Sequence, residues 1–345
     1  MNNVTCTKCG LADSAAGPEC KRCGTPYGPA AAGGFAPSPL FRQAPQGGAA
    51  YYEPSGKVTL KGLALGLGGG LVAAVVLAFA YAYLNNYIPI IQLNVLCLVG
   101  YAAALGVTAA ALVRWGKMRN PTVGIFIAVL IACASYYLSW AVWLPLIVSG
   151  NGLGSSWWEL ASDPARMWDV LLLVNEKGAW SMGHLGSSRN NPTVSGVLLW
   201  VFWAAEALTV LIGTAVMAWK GLTSAPFCEP CRTWCKEEKG LVSIRAAEPD
   251  ELKRRFEAKD FQYMKAVGPW QAGDSEWCRL DLHRCPVCDK TNTLSLKREK
   301  LKVDRKGNQD VASKEVFRGL LLSEADVRQL RQVGSELKRQ QPAAV

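Results

Sequence analysis

The stretch Val197–Cys231, VLLWVFWAAEALTVLIGTAVMAWKGLTSAPFCEPC, holds the two features that decide the fold. Val197–Trp219 is apolar apart from one charge, Glu206. Crossing a hydrocarbon core takes about 20 helical residues at about 1.5 Å each, and this run is long enough. After a short link the chain enters Cys228-Glu-Pro-Cys231. Two thiolates closing a tight turn are half of a tetrahedral metal site. Cys285-Pro-Val-Cys288 supplies the other half, with 53 residues between the pairs. Loop-closure entropy grows only logarithmically, so an insertion of that length is tolerable.

Both signals recur toward the N-terminus. Leu63–Leu84, Ile88–Val113 and Val123–Val148 are equally long and carry no charge. Cys6/Cys9 and Cys20/Cys23 form a second set of pairs, ten residues apart. The expected fold is an α-helical polytopic membrane protein with four transmembrane helices and small α+β zinc-ribbon modules at both ends. Composition agrees: of 345 residues, 50% are hydrophobic, 19% are charged and 13 are Trp. Neither a disordered chain nor an ordinary soluble domain has that profile.

Four regions follow. Residues 1–25 are an N-terminal ribbon too small for an apolar core, so metal must supply its folding free energy. Residues 26–60 are a Pro/Gly/Ala-rich flexible linker. Residues 61–219 hold the spans, with an external loop over 149–196. That loop contains an amphipathic helix capped by Asp163, opened by Pro164 and closed by Gly178, with Met167, Val170, Leu171 and Val174 on one face. Stripes at Gly62, Gly66, Gly70 and at Ala102, Gly106, Ala110 predict that the first two spans pack on each other.

Residues 220–345 form the C-terminal module. Helices are expected over Pro249–Ala258 and Asp260–Val267, with Leu252, Phe256, Phe261 and Met264 as a core. A hairpin turned by Cys285–Cys288 points Cys278, Leu280 and Leu282 inward, and a further turn falls at Lys306-Gly307. The last helix opens with Ser323 and Asp326. Its Val327, Leu330, Val333 and Leu337 are expected to face a partner surface.

Charge sets the expected orientation. Arg114–Arg119 carries three positive residues and no acid, whereas Ser149–Gly196 carries three positive residues against four acids. Positive residues favour the cytoplasmic side, which puts both tails there. Cytoplasmic thiols stay reduced, and ten of the twelve cysteines lie on those tails. No cleaved leader is expected, because the first apolar run begins far from residue 1. Trp140, Trp143, Trp157, Trp158, Trp200 and Trp203 mark the outer boundary, and Trp115 and Trp219 the inner one.

The metal ligands expected are Cys6, Cys9, Cys20 and Cys23 in one site and Cys228, Cys231, Cys285 and Cys288 in another. Zn²⁺ is the expected occupant of both, and iron takes the same ligands. Cys235 and Cys278 either replace a ligand or pack as small apolar residues. Glu206 and Asn94 are the intramembrane candidates, at similar depth. A lone carboxyl there acts as interhelical glue, since proton passage needs a chain of such groups. Tyr136, Tyr137 and Ser139 are further partners for Glu206. No Ser/His/Asp set, paired acidic motif or phosphate loop occurs.

The chain therefore reads as a non-enzymatic scaffold or regulator in a bilayer, binding a cytoplasmic protein partner rather than nucleic acid, with oligomerisation open. A transporter-like or membrane-enzyme role at Glu206 and thiol redox or metal sensing are the alternatives. Asn175-Glu-Lys-Gly-Ala-Trp-Ser181, Leu198-Leu-Trp with Ala205-Glu-Ala207, and Pro226-Phe-Cys-Glu-Pro-Cys with Trp234-Cys235 resemble a group of uncharacterised bacterial inner-membrane proteins with cytoplasmic zinc ribbons. The resemblance covers roughly residues 60–330. It implies architecture and a multi-pass place in the bacterial plasma membrane, and no activity.

Overall fold

A computed structural model describes residues 4–5, 12–13, 50–88, 90–148, 156–178, 180–181, 193–303 and 308–340. It divides into Met1–Gly48 and Ala49–Val345. In the first unit, β1 (Val4–Thr5) pairs antiparallel with β2 (Ala12–Asp13). Cys6, Cys9, Cys20 and Cys23 lie outside the described residues.

In the second unit, four helices are long and apolar enough to cross a membrane. The first is composite: α1 (Leu60–Ala64), a π turn at Leu65–Gly69 and α2 (Gly70–Tyr87). The others are α3 (Ile91–Trp115), α4 (Pro121–Val148) and α7 (Val197–Leu222). Thr59 starts α1 by accepting the Gly62 amide at 3.1 Å. Val72, Val76, Leu96, Phe126, Leu208 and Ile212 are exposed on the outside, an apolar belt that a water-soluble bundle would bury. Inside, Ala74, Ala78, Ala128 and Ala132 are fully buried and let the backbones approach.

The small-residue stripes find other partners than each other. A side chain at Gly70 would strike Ile131 of α4, and one at Gly66 would crowd both Val113 of α3 and Ile127 of α4. The second stripe faces α7: a Cβ at Gly106 would lie 2.5 Å from the Thr214 carbonyl oxygen. The Ala102 and Ala110 methyls fill the spaces over Gly213 and Gly221. Thr214 Oγ1 donates to the Ala102 carbonyl at 3.1 Å. The first two helices also meet through glycine, where Gly62 touches Gly116 at the base and Gly66 and Gly69 face Val113 and Leu112 of α3.

One end of the bundle is closed by the loop helices α5 (Trp157–Ser162) and α6 (Pro164–Lys177). Asp163 accepts the Arg166 amide at 3.1 Å, and Gly178 ends α6 at a positive φ of 85°. Met167, Leu171 and Val174 are buried against the bundle, while Trp168 and Leu172 stay exposed. A short pair follows, β3 (Trp180–Ser181) with β4 (Thr193–Val194). Trp140, Trp143 and Trp203 are buried and build the interior of this end, while Trp157 and Trp158 are exposed there.

The other end carries the soluble module. Its elements are β5 (Phe227–Cys228), β6 (Thr233–Trp234), β7 (Lys236–Arg245), α8 (Pro249–Glu257), α9 (Tyr263–Val267), β8 (Glu276–Arg284), β9 (Asn292–Val303), β10 (Gln309–Leu322) and α10 (Glu324–Arg339). β10-β9-β8-β7 form one antiparallel sheet. Leu252, Phe256, Phe261, Met264, Cys278, Leu280 and Leu282 are fully buried on one face of it, each large side chain contributing about 1.5–3 kcal/mol. Ser323 and Asp326 form the capping box of α10. Val327, Leu330, Val333 and Leu337 pack into this same core, so the apolar face of α10 meets the module's own sheet and not a separate partner. Residues 50–52 run beside β10, where the Leu321 amide donates to Ala50 at 2.9 Å and the Tyr52 amide to Gly319 at 2.8 Å.

Candidate metal centre and its seat on the bundle

Two turns bring the second cysteine set together. The β5–β6 hairpin presents Cys228 and Cys231, with Arg232 at a φ of 51° completing the reversal. The β8–β9 connection presents Cys285 and Cys288, closed by the Cys285 amide donating to Thr291 at 3.1 Å. The four sulfurs lie within 4.8 Å of one another, with Cys228–Cys288 at 3.6 Å and Cys285–Cys288 at 3.8 Å. Thiolates bound to one zinc at about 2.3 Å sit about 3.8 Å apart by tetrahedral geometry. The group can hold a metal ion.

Its electrostatics fit a cation. Burial, then the neighbouring Cys285 and Cys288 thiols, push the Cys228 thiol up. The Cys288 thiol, followed by burial, pushes Cys231 up. Burial also opposes ionisation of Cys285, but the Val287 and Cys288 amides outweigh it and hold that thiol below its ordinary value. Four thiols this close cannot all ionise without a compensating charge, and a dication provides one. Cys235 is pushed up to about 12 by burial and then by these thiols, and its Sγ donates to the Thr291 carbonyl at 3.7 Å. Cys278 lies in the sheet core. Both are packed groups outside the four-sulfur cluster.

The first knuckle also seats the module on the bundle. Glu229, between Cys228 and Cys231, accepts from Arg119 Nη1 at 2.7 Å and from Ser55 Oγ at 2.6 Å, with Lys57 Nζ at 3.8 Å. Arg119 lies in the α3–α4 connection, and its guanidinium stacks 4.3 Å over the Phe227 ring. Arg114 lies 4.7 Å over the Trp234 ring, whose Nε1 donates to the Arg114 carbonyl at 3.0 Å. Tyr52 Oη accepts the Phe227 amide at 2.8 Å. Phe227, Cys228 and Glu229 thus hold, in succession, an aromatic contact, a sulfur of the four-cysteine cluster and an ion pair.

At the opposite end, Glu206 Oε1 accepts from Tyr81 Oη at 2.7 Å. Tyr81 stacks on Tyr101 at 4.4 Å, and Tyr101 continues through Ser135 Oγ at 2.7 Å to the Ala74 carbonyl at 2.8 Å. Trp140, Trp143 and Trp203 wall a cavity of about 20 Å³ beside Glu206, room for one water-sized molecule. Asn94 is not its partner: Nδ2 donates to the Ile88 carbonyl at 3.1 Å and ties down the turn into α3. Tyr136 donates to the Trp203 carbonyl at 3.3 Å and Tyr137 to Ala161 at 3.0 Å. Tyr81 was hidden in the sequence among apolar residues of a different span.

No family model matches the chain, and neither a curated protein nor a solved structure matches it. The site has to be understood from its own residues.

Proposed function

We propose that the chain is a non-enzymatic four-span membrane protein whose metal-stapled module is presented to cytoplasmic protein partners from a fixed seat on the bundle. The observation that carries this reading is the convergence of Cys228, Cys231, Cys285 and Cys288 in a knuckle that is itself ion-paired to Arg119. Four protein thiolates would fill a tetrahedral zinc and leave no position for a substrate, the signature of a structural site. The metal's contribution is to fix two turns that have little core of their own. The N-terminal set, Cys6, Cys9, Cys20 and Cys23, is the second zinc site in this reading. The charge bias of Arg114–Arg119 and the placement of thiols support a cytoplasmic location for both tails, and the sequence resemblance supports a bacterial plasma membrane.

Metal analysis of the purified full chain tests it. The parent is expected to hold about two zinc ions per chain and Cys288→Ser one fewer, with the module's exchange protection reduced. Unchanged metal content in Cys288→Ser would refute the assignment. An intrapair disulfide in freshly lysed cells would favour thiol redox chemistry instead. A second reading, ion or proton handling at Glu206, is supported by the carboxyl's position beside a cavity walled by three indoles.

A further inference from the structure

A cavity of about 360 Å³ lies where α7 ends against the sheet of the module. Its walls combine Trp219 and Leu222 from the last membrane helix with His283 of β8 and Glu315 and Arg318 of β10. Three features of this wall call for a ligand. His283 is 5% exposed, and neither ring nitrogen completes a hydrogen bond of good geometry, although the Ser224 backbone lies close enough to interact with the ring. A buried imidazole left in that condition costs free energy that a bound donor and acceptor would recover. Arg318 donates to the Thr223 carbonyl, and among the described residues neither it nor Glu315 belongs to an ion pair. Arg119, the other guanidinium in the wall, is already neutralised by Glu229.

The wall therefore offers one cation and one anion outside any ion pair among the described residues, a buried imidazole ring and apolar surface at the end of a membrane-crossing helix. We propose that this cavity binds the headgroup of a zwitterionic phospholipid, a phosphodiester bearing a protonated amine. The phosphodiester would take Arg318 and an imidazole N–H, the ammonium would take Glu315, and the glycerol region would rest on Trp219 and Leu222. Indole and guanidinium side chains at this depth suit headgroup contact. A choline headgroup lacks the N–H donors, and a glycerol headgroup lacks the positive charge that Glu315 recognises. The inference depends on the helices crossing a bilayer but not on the metal or on any protein partner.

Native mass spectrometry of the delipidated full chain tests it, with phosphatidylethanolamine, phosphatidylcholine and phosphatidylglycerol added separately. One phosphatidylethanolamine is expected to survive at activation energies that strip the others, with apparent affinity about tenfold higher, or about 1.4 kcal/mol. Arg318→Gln and His283→Phe should each abolish that preference. His283→Phe removes the unpaired nitrogens and should leave thermal stability in lipid-free detergent unchanged or raised. Should it fail to fold, Arg318→Gln decides alone, because that side chain is exposed. Metal content is measured in parallel, so loss of the neighbouring thiolate site is recognised separately. Competition by soluble glycerophosphoethanolamine would show that the headgroup suffices, and its failure to compete would show that the acyl chains contribute; both support the site. Equal retention of all three lipids, or a preference unchanged by Arg318→Gln, would mean surface lipid only and overturn the proposal.

Discussion

Replacing Arg119 by Ala should loosen the module from the bundle by an amount the structure lets one estimate. The Arg119 side chain is 8% exposed and that of Glu229 20%, with 2.7 Å between Nη1 and Oε2. Removing one partner of a fully buried ion pair costs about 3–5 kcal/mol. The partial exposure of Glu229, with Lys57 still at 3.8 Å, reduces this to about 2 kcal/mol. Loss of the guanidinium from the Phe227 face adds about 0.5–1 kcal/mol. The expected cost of Arg119→Ala is then about 2.5 kcal/mol, roughly a 70-fold change in a local opening equilibrium. Arg119→Lys keeps the charge but not the planar stacking, and should cost about 1 kcal/mol. Hydrogen exchange of the Phe227 and Cys235 amides reads this directly, since they donate to Tyr52 Oη and the Pro226 carbonyl across the knuckle. A double-mutant cycle with Glu229→Gln should show coupling of about 1–2 kcal/mol. Additive effects, or exchange unchanged in Arg119→Ala, would refute the seat.

Three further outcomes are expected. Asp281 is fully buried, with Lys297 Nζ at 2.9 Å and Arg279 Nε at 3.0 Å; burial opposes its ionisation, but the Gly240 amide, Lys297 and Arg279 hold its carboxyl below the usual range. A depressed folded value means the stabilisation is present above the unfolded pKa of about 3.9 and lost as pH falls through the folded one. Asp281→Asn should cost about 3 kcal/mol at neutral pH and converge with the parent in acid, and parallel melting curves across that range would contradict this. Gly106→Leu should abolish folded yield through collision with α7, whereas Gly100→Leu, which meets nothing within 4 Å, should express normally; equal yields would refute the packing. At Glu206, the Gln variant should keep the Tyr81 hydrogen bond and the parent's detergent stability, while Glu206→Leu should lose about 1 kcal/mol. A well-folded Gln variant that loses a deletion-linked phenotype would favour the ion-handling reading.

The four spans were legible because their period and length leave no alternative: a run such as Val197–Trp219 has only one charge to place. Helix ends were legible where capping chemistry is local, as at Asp163, Gly178 and Ser323. The expected helix over Asp260–Val267 begins later, at Tyr263, because Lys259 adopts a left-handed φ of 60° and the following residues turn. Helix pairing was legible in part. Gly62 and Gly66 do meet the second span and its end, at Gly116, Met118 and Val113, but Gly66 also meets Ile127 and Gly70 meets Ile131 of α4, and that second partner was not legible. The same holds for charge: Glu229 and Arg119 are 110 residues apart, and each alone reads as a surface residue. Within β9, Arg298 and Lys300 likewise pair with Glu276, and Lys297 with Asp281, partners on the neighbouring strand.

The four-cysteine cluster and the seat share consecutive residues, and this gives them a thermodynamic relation. Phe227 and Glu229 reach Arg119 only while the β5–β6 turn keeps its shape, and Cys228 and Cys231 close that turn. A metal bound by these thiolates favours the closed knuckle, and the ion pair with Arg119 favours the same conformation. Two interactions that stabilise one state raise each other's occupancy by the same factor. The opening cost worked out for Arg119→Ala is therefore an upper bound on how far that substitution can weaken metal binding. In the other direction, metal loss should release the knuckle from the α3–α4 connection before it disturbs the sheet core, whose buried side chains lie on separate elements. The module would then remain folded while its fixed orientation on the bundle was lost.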